Sequence, residues 1–250
     1  MINCIEHTQK SIVLSCCIAA FVTFGPGLMC CAAEADAEKP SWEMVKGDMV
    51  TRWAKEVSPT NALPEYPRPV MRRERWKNLN GLWEFTMRPK SEASQPDKFD
   101  DHILVPFCVE SALSGVKKKV IETDMLWYRR TFEVPAEWAG QRVLLHFGAA
   151  DWETTVWVNG HKATHHRGGY DPFSVDITDM LQKTGPQDIV VCVWDPTDRG
   201  PQMRGKQKIE PEGFMYTPAS GIWQTVWIEP VASSYISSVH TEADIDENCV

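Results

Sequence analysis

From Leu82 to Glu229 short apolar blocks recur, set off by Gly, Pro and Asn. Val143, Leu145 and Phe147 alternate with Leu144 and His146, the period-2 pattern of a strand with at least one buried face. Gly148 to Glu153 interrupts it with a turn, and Thr154 to Val158 is a second strand dense in β-branched residues. Asn159-Gly160 follows. Both residues tolerate the positive φ that a two-residue type I′ turn demands, so this is the strongest hairpin signal in the chain. His161 to His166 is the returning strand, Gly168-Gly169 ends it, and Phe173 to Ile177 starts the next. The pattern reads as three strands and two tight turns in one continuous antiparallel run. Further strands are predicted at Leu82–Met87, Ile103–Val105, Trp127–Val134, Ile189–Trp194 and Ile222–Glu229. Short strands separated by turn signals make an all-β sandwich or barrel, here a jelly-roll-type antiparallel β-sandwich over 71–231.

The flanks differ in pattern. Ile12 to Phe24 is apolar with Lys10 before it, and Ala32-Ala33 and Ala35 to Ala37 are small. Residues 1–35 read as a signal peptide cut between Ala33 and Ala37, with an uncleaved anchor as the alternative. The run is short for a membrane span, so none is expected after cleavage and the protein is exported, to a periplasmic or extracellular location. Residues 36–70 read as a linker, a short helix and a Pro-rich connector. The helix runs from Trp42 to Val57, with Val45, Met49, Trp53 and Val57 four apart on one face, or begins only at Asp48 as N-cap, since Gly47 weakens the longer one. Pro59, Pro64, Pro67 and Pro69 then exclude helix and central strand. Arg72, Arg73, Arg75 and Lys77 read as a solvated loop or a contact with a neighbouring domain. Tyr235 to His240 looks like the first strand of another domain, begun in 232–250.

Composition changes the picture in three places. The net charge is -8, which argues against nucleic acid and anionic membrane as partners. Eleven tryptophans are many for this length, and suit either a sandwich core or the flat face of a sugar ring. Of eight cysteines, five lie in the leader, and Cys108, Cys192 and Cys249 lack zinc-site spacing, so no structural disulfide is expected. Cys192, between Val191 and Val193, reads as a small buried residue. His161 and His165 share a strand face without a partner spaced to complete a metal site.

At several places the chain resembles a known family. N-L-N-G-L-W-E-F (Asn78–Phe85), V-P-F-C-V-E-S (Val105–Ser111), W-Y-R-R-T-F (Trp127–Phe132), F-G-A-A-D-W-E-T-T-V-W-V-N-G (Phe147–Gly160), G-G-Y-D-P-F-S-V-D-I-T (Gly168–Thr178) and S-G-I-W-Q-T-V-W-I-E-P-V (Ser220–Val231) are similar to the N-terminal sugar-binding domain of the family 2 glycoside hydrolases. That family contains β-galactosidases, β-glucuronidases and β-mannosidases. The resemblance implies a galactose-binding-domain-like sandwich, a carbohydrate partner of β-galactoside or β-glucuronide class, and a following immunoglobulin-like domain and (β/α)8 barrel. A glycosidase works with two carboxylates flanking the scissile bond, and in this family both are Glu on the barrel. Glu110, Glu153 and Glu229 therefore read as structural, and Asp151 as serving a turn.

The stretch Val193 to Gln207 is long for a sandwich loop, and long loops on a rigid sheet carry binding residues. It holds Asp195, Asp198, Arg204, Lys206 and Gln207. The resemblance implies that Asp195, or Asp198 in another register, contacts a sugar hydroxyl and a sodium ion shared with the barrel, and that Arg204 to Gln207 completes the pocket. The bland alternative is a turn, since Asp before Pro favours one. Met215 to Ser220 forms a second loop beside it. A free-standing carbohydrate-binding module or lectin is the rival reading of the whole chain.

Overall fold

The computed structural model describes residues 41–47, 50–92 and 94–247. Its strands are β1 (Lys77–Asn78), β2 (Gly81–Pro89), β3 (Asp101–Val105), β4 (Asp124–Phe132), β5 (Arg142–Phe147), β6 (Ala150–Asp151), β7 (Glu153–Val158), β8 (His161–Arg167), β9 (Phe173–Asp176), β10 (Gln187–Trp194), β11 (Gly221–Ile222) and β12 (Val226–Val231). The order β3-β2-β4-β10-β7-β8 makes a six-stranded sheet, β1-β12-β5-β9 a four-stranded one, and β11-β6 a short ribbon. Every pairing between these strands is antiparallel. This is the expected antiparallel sandwich.

Alternation places the core. Along β7 every second residue is buried, as a strand with one inward face requires. Trp83, Phe85, Leu126, Tyr128, Val156 and Val191 of the larger sheet join Val143, Leu145, Phe147, Val226 and Ile228 of the smaller in one cluster. The opposite face of β4 and β10 makes a second cluster of Trp127, Val190 and Cys192, with Trp157 stacked on Trp127 at 5.7 Å. Cys192 is buried as expected, and burial first, then Glu153, pushes its thiol up to about 12. Cys108 and Cys192 are free thiols; Cys249 lies outside the described residues, as do the leader and Asp48.

Several expectations are corrected. The run from Arg142 to Ile177 is not one antiparallel sheet: β5 and β9 belong to the smaller sheet, β7 and β8 to the larger. Gly148 to Trp152 is the crossover between them. The cause lies in β5, where five of six residues are buried, so its pattern marks a strand without marking its neighbour. The β7–β8 hairpin stands, with φ of 49° at Asn159 and 80° at Gly160. The strand expected from Ile222 to Glu229 is broken by Trp223–Thr225 into β11 and β12.

The second correction is the helix before the connector. Among the described residues there, only a 3-10 turn, Arg52–Glu56, forms, and Trp53 is exposed. Helical spacing yields a helix only where its apolar face meets a surface. The third concerns both ends of the sandwich. The basic cluster is bonded within the chain: Arg73 Nε donates to Glu229 at 3.0 Å, Arg75 to Gln141, and Lys77 to the Glu133 carbonyl. Tyr235 to His240 forms no strand. Instead Arg73 Nη2 donates to the Ile236 carbonyl at 2.7 Å and the guanidinium lies over the Tyr235 ring. Alternation needs a partner edge to become a strand.

Candidate functional site

Strand register gathers the site. Trp194, the last residue of β10, pairs with Glu153 at the start of β7, and Asp151 in β6 pairs with Gly221 in β11. Asp195 and Ser220, the two ends of the long loop, therefore meet Asp151 at one end of the larger sheet. Asp195 is 1% exposed. Its Oδ1 accepts from the Thr197 N–H and its Oδ2 from the Ser220 hydroxyl, both at 2.6 Å. The Ser220 N–H donates to Glu110 Oε2 at 2.9 Å. Gln207 donates to Tyr170 Oη at 3.1 Å and more weakly to Asp151 Oδ2 at 3.4 Å, while its Oε1 accepts from the Ala219 N–H. Gly221 has φ of 91°, and a Cβ there would overlap the Tyr128 hydroxyl. Only glycine meets both conditions.

Glu110, Asp151 and Asp195 form no ion pair among the described residues. Glu110 Oε1, Asp151 Oδ1 and the Tyr128 hydroxyl are buried without a hydrogen-bond partner there. Burial pushes the Glu110 carboxyl up to about 7, against the Ser220 hydrogen bonds and with a small push from Asp195. Burial, then the charge of Asp195, brings Asp151 up to about 7. Asp195 is also raised by burial, with Ser220 and Thr197 opposing. Low dielectric penalises the charged form, and three neighbouring carboxylates penalise each other.

The crest of the loop is the reverse of its foot. Met203, Phe214 and Tyr216 are mostly exposed, and Lys206 Nζ lies 5.4 Å from the Phe214 ring centre and 5.9 Å from that of Tyr216. Arg204 donates to the Asp198 carbonyl at 2.5 Å, and the Asp198 carboxylate lies 3.5 Å from Arg199. A bridge between Gln207 and Tyr216 ties the second loop to the first, as the sequence suggested. A recess of about 400 Å³ beside it is lined by Cys108, Glu110, Lys117 and Thr217. Burial, then Glu110, raises the Cys108 thiol to about 11, so it is no nucleophile at neutral pH.

The five residues singled out in the sequence thus occupy one loop at two levels. Arg204 and Lys206 are exposed on its crest, Asp195 lies at its foot, and Asp198 and Gln207 lie between. Both oxygens of Asp195 are engaged within the chain. Among the described residues no group of three His, Cys, Asp or Glu side chains could hold a metal ion. Sequence reasoning missed Glu110 and Asp151 as members of the site. Both stand in motifs that carried the resemblance, but nothing local says that β6 pairs with β11.

Comparison with known proteins bears on the family and the fold. Residues 76–228 match the family described as glycosyl hydrolases family 2, sugar binding domain. A β-glucuronidase of Paenibacillus borealis is 28% identical over 160 residues, covering 60% of this chain and 26% of the relative. A β-galactosidase of Thermoanaerobacter pseudethanolicus is 30% identical over 120 residues, covering 47% and 15%. A solved β-glucuronidase from an uncultured Clostridium sp. superposes with a TM-score of 0.53 at 25% identity, over 70% of this chain and 33% of that one. The chain thus spans a third or less of each of these relatives. It belongs to family 2 of the glycoside hydrolases, through their sugar-binding domain.

Proposed function

We propose that this chain is the non-catalytic, carbohydrate-binding part of an exported family 2 glycoside hydrolase that acts on a β-galactoside or β-glucuronide. In this reading the Asp195–Ser220 loop leans over a pocket built mainly by a barrel outside the described residues, next to an immunoglobulin-like domain. The supporting observation is the contrast between a buried, hydrogen-bonded foot and an exposed crest of Tyr216, Phe214, Lys206 and Arg204. Flat aromatic faces and charged donors are the groups that meet sugar rings and hydroxyls. Asp195 acts as a positioning residue, since its oxygens clamp Thr197 and Ser220. Gln207 holds the crest to the foot. A sodium ion at Asp195 would need ligands supplied from the barrel.

Nothing at the site offers the two carboxylates of glycoside hydrolysis. Asp151 is buried and Glu110 half-buried, and both accept hydrogen bonds at the foot of the loop, rather than standing as the pair that flanks a scissile bond. The 250-residue chain is therefore expected to leave aryl β-galactosides and β-glucuronides intact. Turnover abolished by substituting any residue here would overturn the proposal. Amide shift mapping by NMR with the same glycosides tests the loop. Shifts at Lys206, Gln207 and Tyr216 are expected; shifts confined to the strands would refute its role.

A further inference from the structure

We propose a second sugar subsite, under the Pro-rich connector, that takes a ring bearing an oxyanion (a carboxylate or a sulfate), with Arg130 as its anion-binding group and Trp76 as its wall. Several arginines of the sandwich pair with acids: Arg129 with Asp188 at 2.8 Å, Arg68 and Arg73 with Glu229, Arg167 with Glu153, and Arg142 with Asp176. Arg130 has none among the described residues. Of its five N–H donors, one hydrogen bond is made, from Nη1 to the Asn80 carbonyl at 2.8 Å. Its Nε and Nη2 are neither bonded nor fully buried. Burial alone acts on its charge. A half-buried guanidinium without a counter-charge is costly, and a planar fork is matched by carboxylate or sulfate oxygens.

The space is already built. A recess of about 410 Å³ is lined by Pro59, Thr60, Trp76, Asn78, Asn80 and Arg130. Its amides are committed to holding the connector: Asn78 donates to the Leu63 carbonyl at 2.8 Å and Asn80 to the Ala62 carbonyl at 3.0 Å. A Cβ on Gly81 would crowd both the Pro59 carbonyl and Arg130 Nη1, so glycine brings connector and guanidinium together. The walls are thus fixed, and the guanidinium is the unspent polar group. Arg130 pairs with Ile189, at the other end of β10 from Trp194. Five residues of strand separate the two sites by roughly 16 Å.

Calorimetric titration of the full chain with glucuronate, glucose 6-sulfate and glucose tests this. At low salt, glucuronate or the sulfate binds and glucose does not, and raising the salt weakens the binding. Whichever anion binds tighter identifies the source. Arg130→Gln is expected to weaken binding by about tenfold or more, the worth of one charge-assisted pair. Trp76→Ala does the same through a residue that bonds nothing in the recess. No heat from either anion, or equal heat from glucose, overturns the proposal. If Arg204→Ala with Lys206→Ala removes the binding, the ligand sits on the long loop; the subsite then falls while the loop reading stands.

Discussion

Two groups of buried acid lie in this sandwich, and their protons are held in opposite ways. Glu229, on β12, is fully buried, yet Tyr66 Oη donates to it at 2.8 Å and Arg68 at 2.5 Å, Arg73 pairs with it at 3.0 Å, and His146 lies beside it. Burial alone would raise its carboxyl; His146, Tyr66 and Arg68 overcome that and bring it down to about 2. Asp151 is buried and Glu110 half-buried with its Oε1 enclosed, neither pairs with a cation among the described residues, and both rise to about 7. The partners decide the sign, not the depth. Glu229 clamps the connector and the stretch after β12 to the smaller sheet. The other acids serve as hydrogen-bond acceptors under a loop and carry an electrostatic cost for doing so.

The largest effect is expected at Glu229. Glu229→Ala leaves Arg68 and Arg73 without their acid and opens a hole beside His146, and breaking one side of a buried charge pair costs about 3–5 kcal/mol. Urea unfolding would register this as a lower midpoint. Protection of backbone amides near Arg68 and Tyr235 should fall with it. A loss below about 1 kcal/mol, the range of surface pairs, would mean that the network holds little.

The two groups should also separate along the pH axis. Glu229 has a folded pKa below its unfolded one, so its contribution is present above about pH 4 and fades as pH falls toward 2. Glu110 and Asp151 have folded pKa values above their unfolded ones. Their stabilising effect is present below about pH 4 and is lost as pH rises through 7. His146, pushed down by burial, works the other way below its ordinary pKa, so the comparison is made between variants. Glu110→Gln and Asp151→Asn are each expected to stabilise the chain at pH 8 by on the order of 2 kcal/mol relative to pH 5, one pKa unit being worth about 1.4. Equal effects at both pH values would show that these carboxyls titrate normally.

The same contrast explains what could be read from the sequence. Period-2 alternation and turn residues located the strands because each is a local property, and Asn159-Gly160 named its own turn. The sheet that β5 joins was not legible, because a strand buried on both faces carries no mark of its neighbour. Both acid groups depend on that missing information. Glu229 is 161 residues from Arg68, and Asp151 reaches the Asp195–Ser220 loop through the β6–β11 pairing. Arg73 looked solvated for the same reason, since a basic run shows its charge but not the acid across the fold. The long loop was legible by its length and polarity, while the burial of Asp195 was not.

The smallest effect sharpens the comparison most. Ser220 stands between Asp195 and Glu110, giving its hydroxyl to one and its N–H to the other. Ser220→Ala removes only the hydroxyl and should cost about 1 kcal/mol, the net worth of one hydrogen bond. It should also raise the Asp195 carboxyl further, because that bond is among the forces opposing burial there. A carboxyl-carbon NMR titration would follow Asp195 directly, and limited proteolysis would report cleavage between Met203 and Tyr216. A raised Asp195 with faster cleavage fits a foot that holds the crest in place. An unmoved Asp195 with an unchanged loop would mean that Thr197 alone clamps it, and that the loop's shape comes from its own turns.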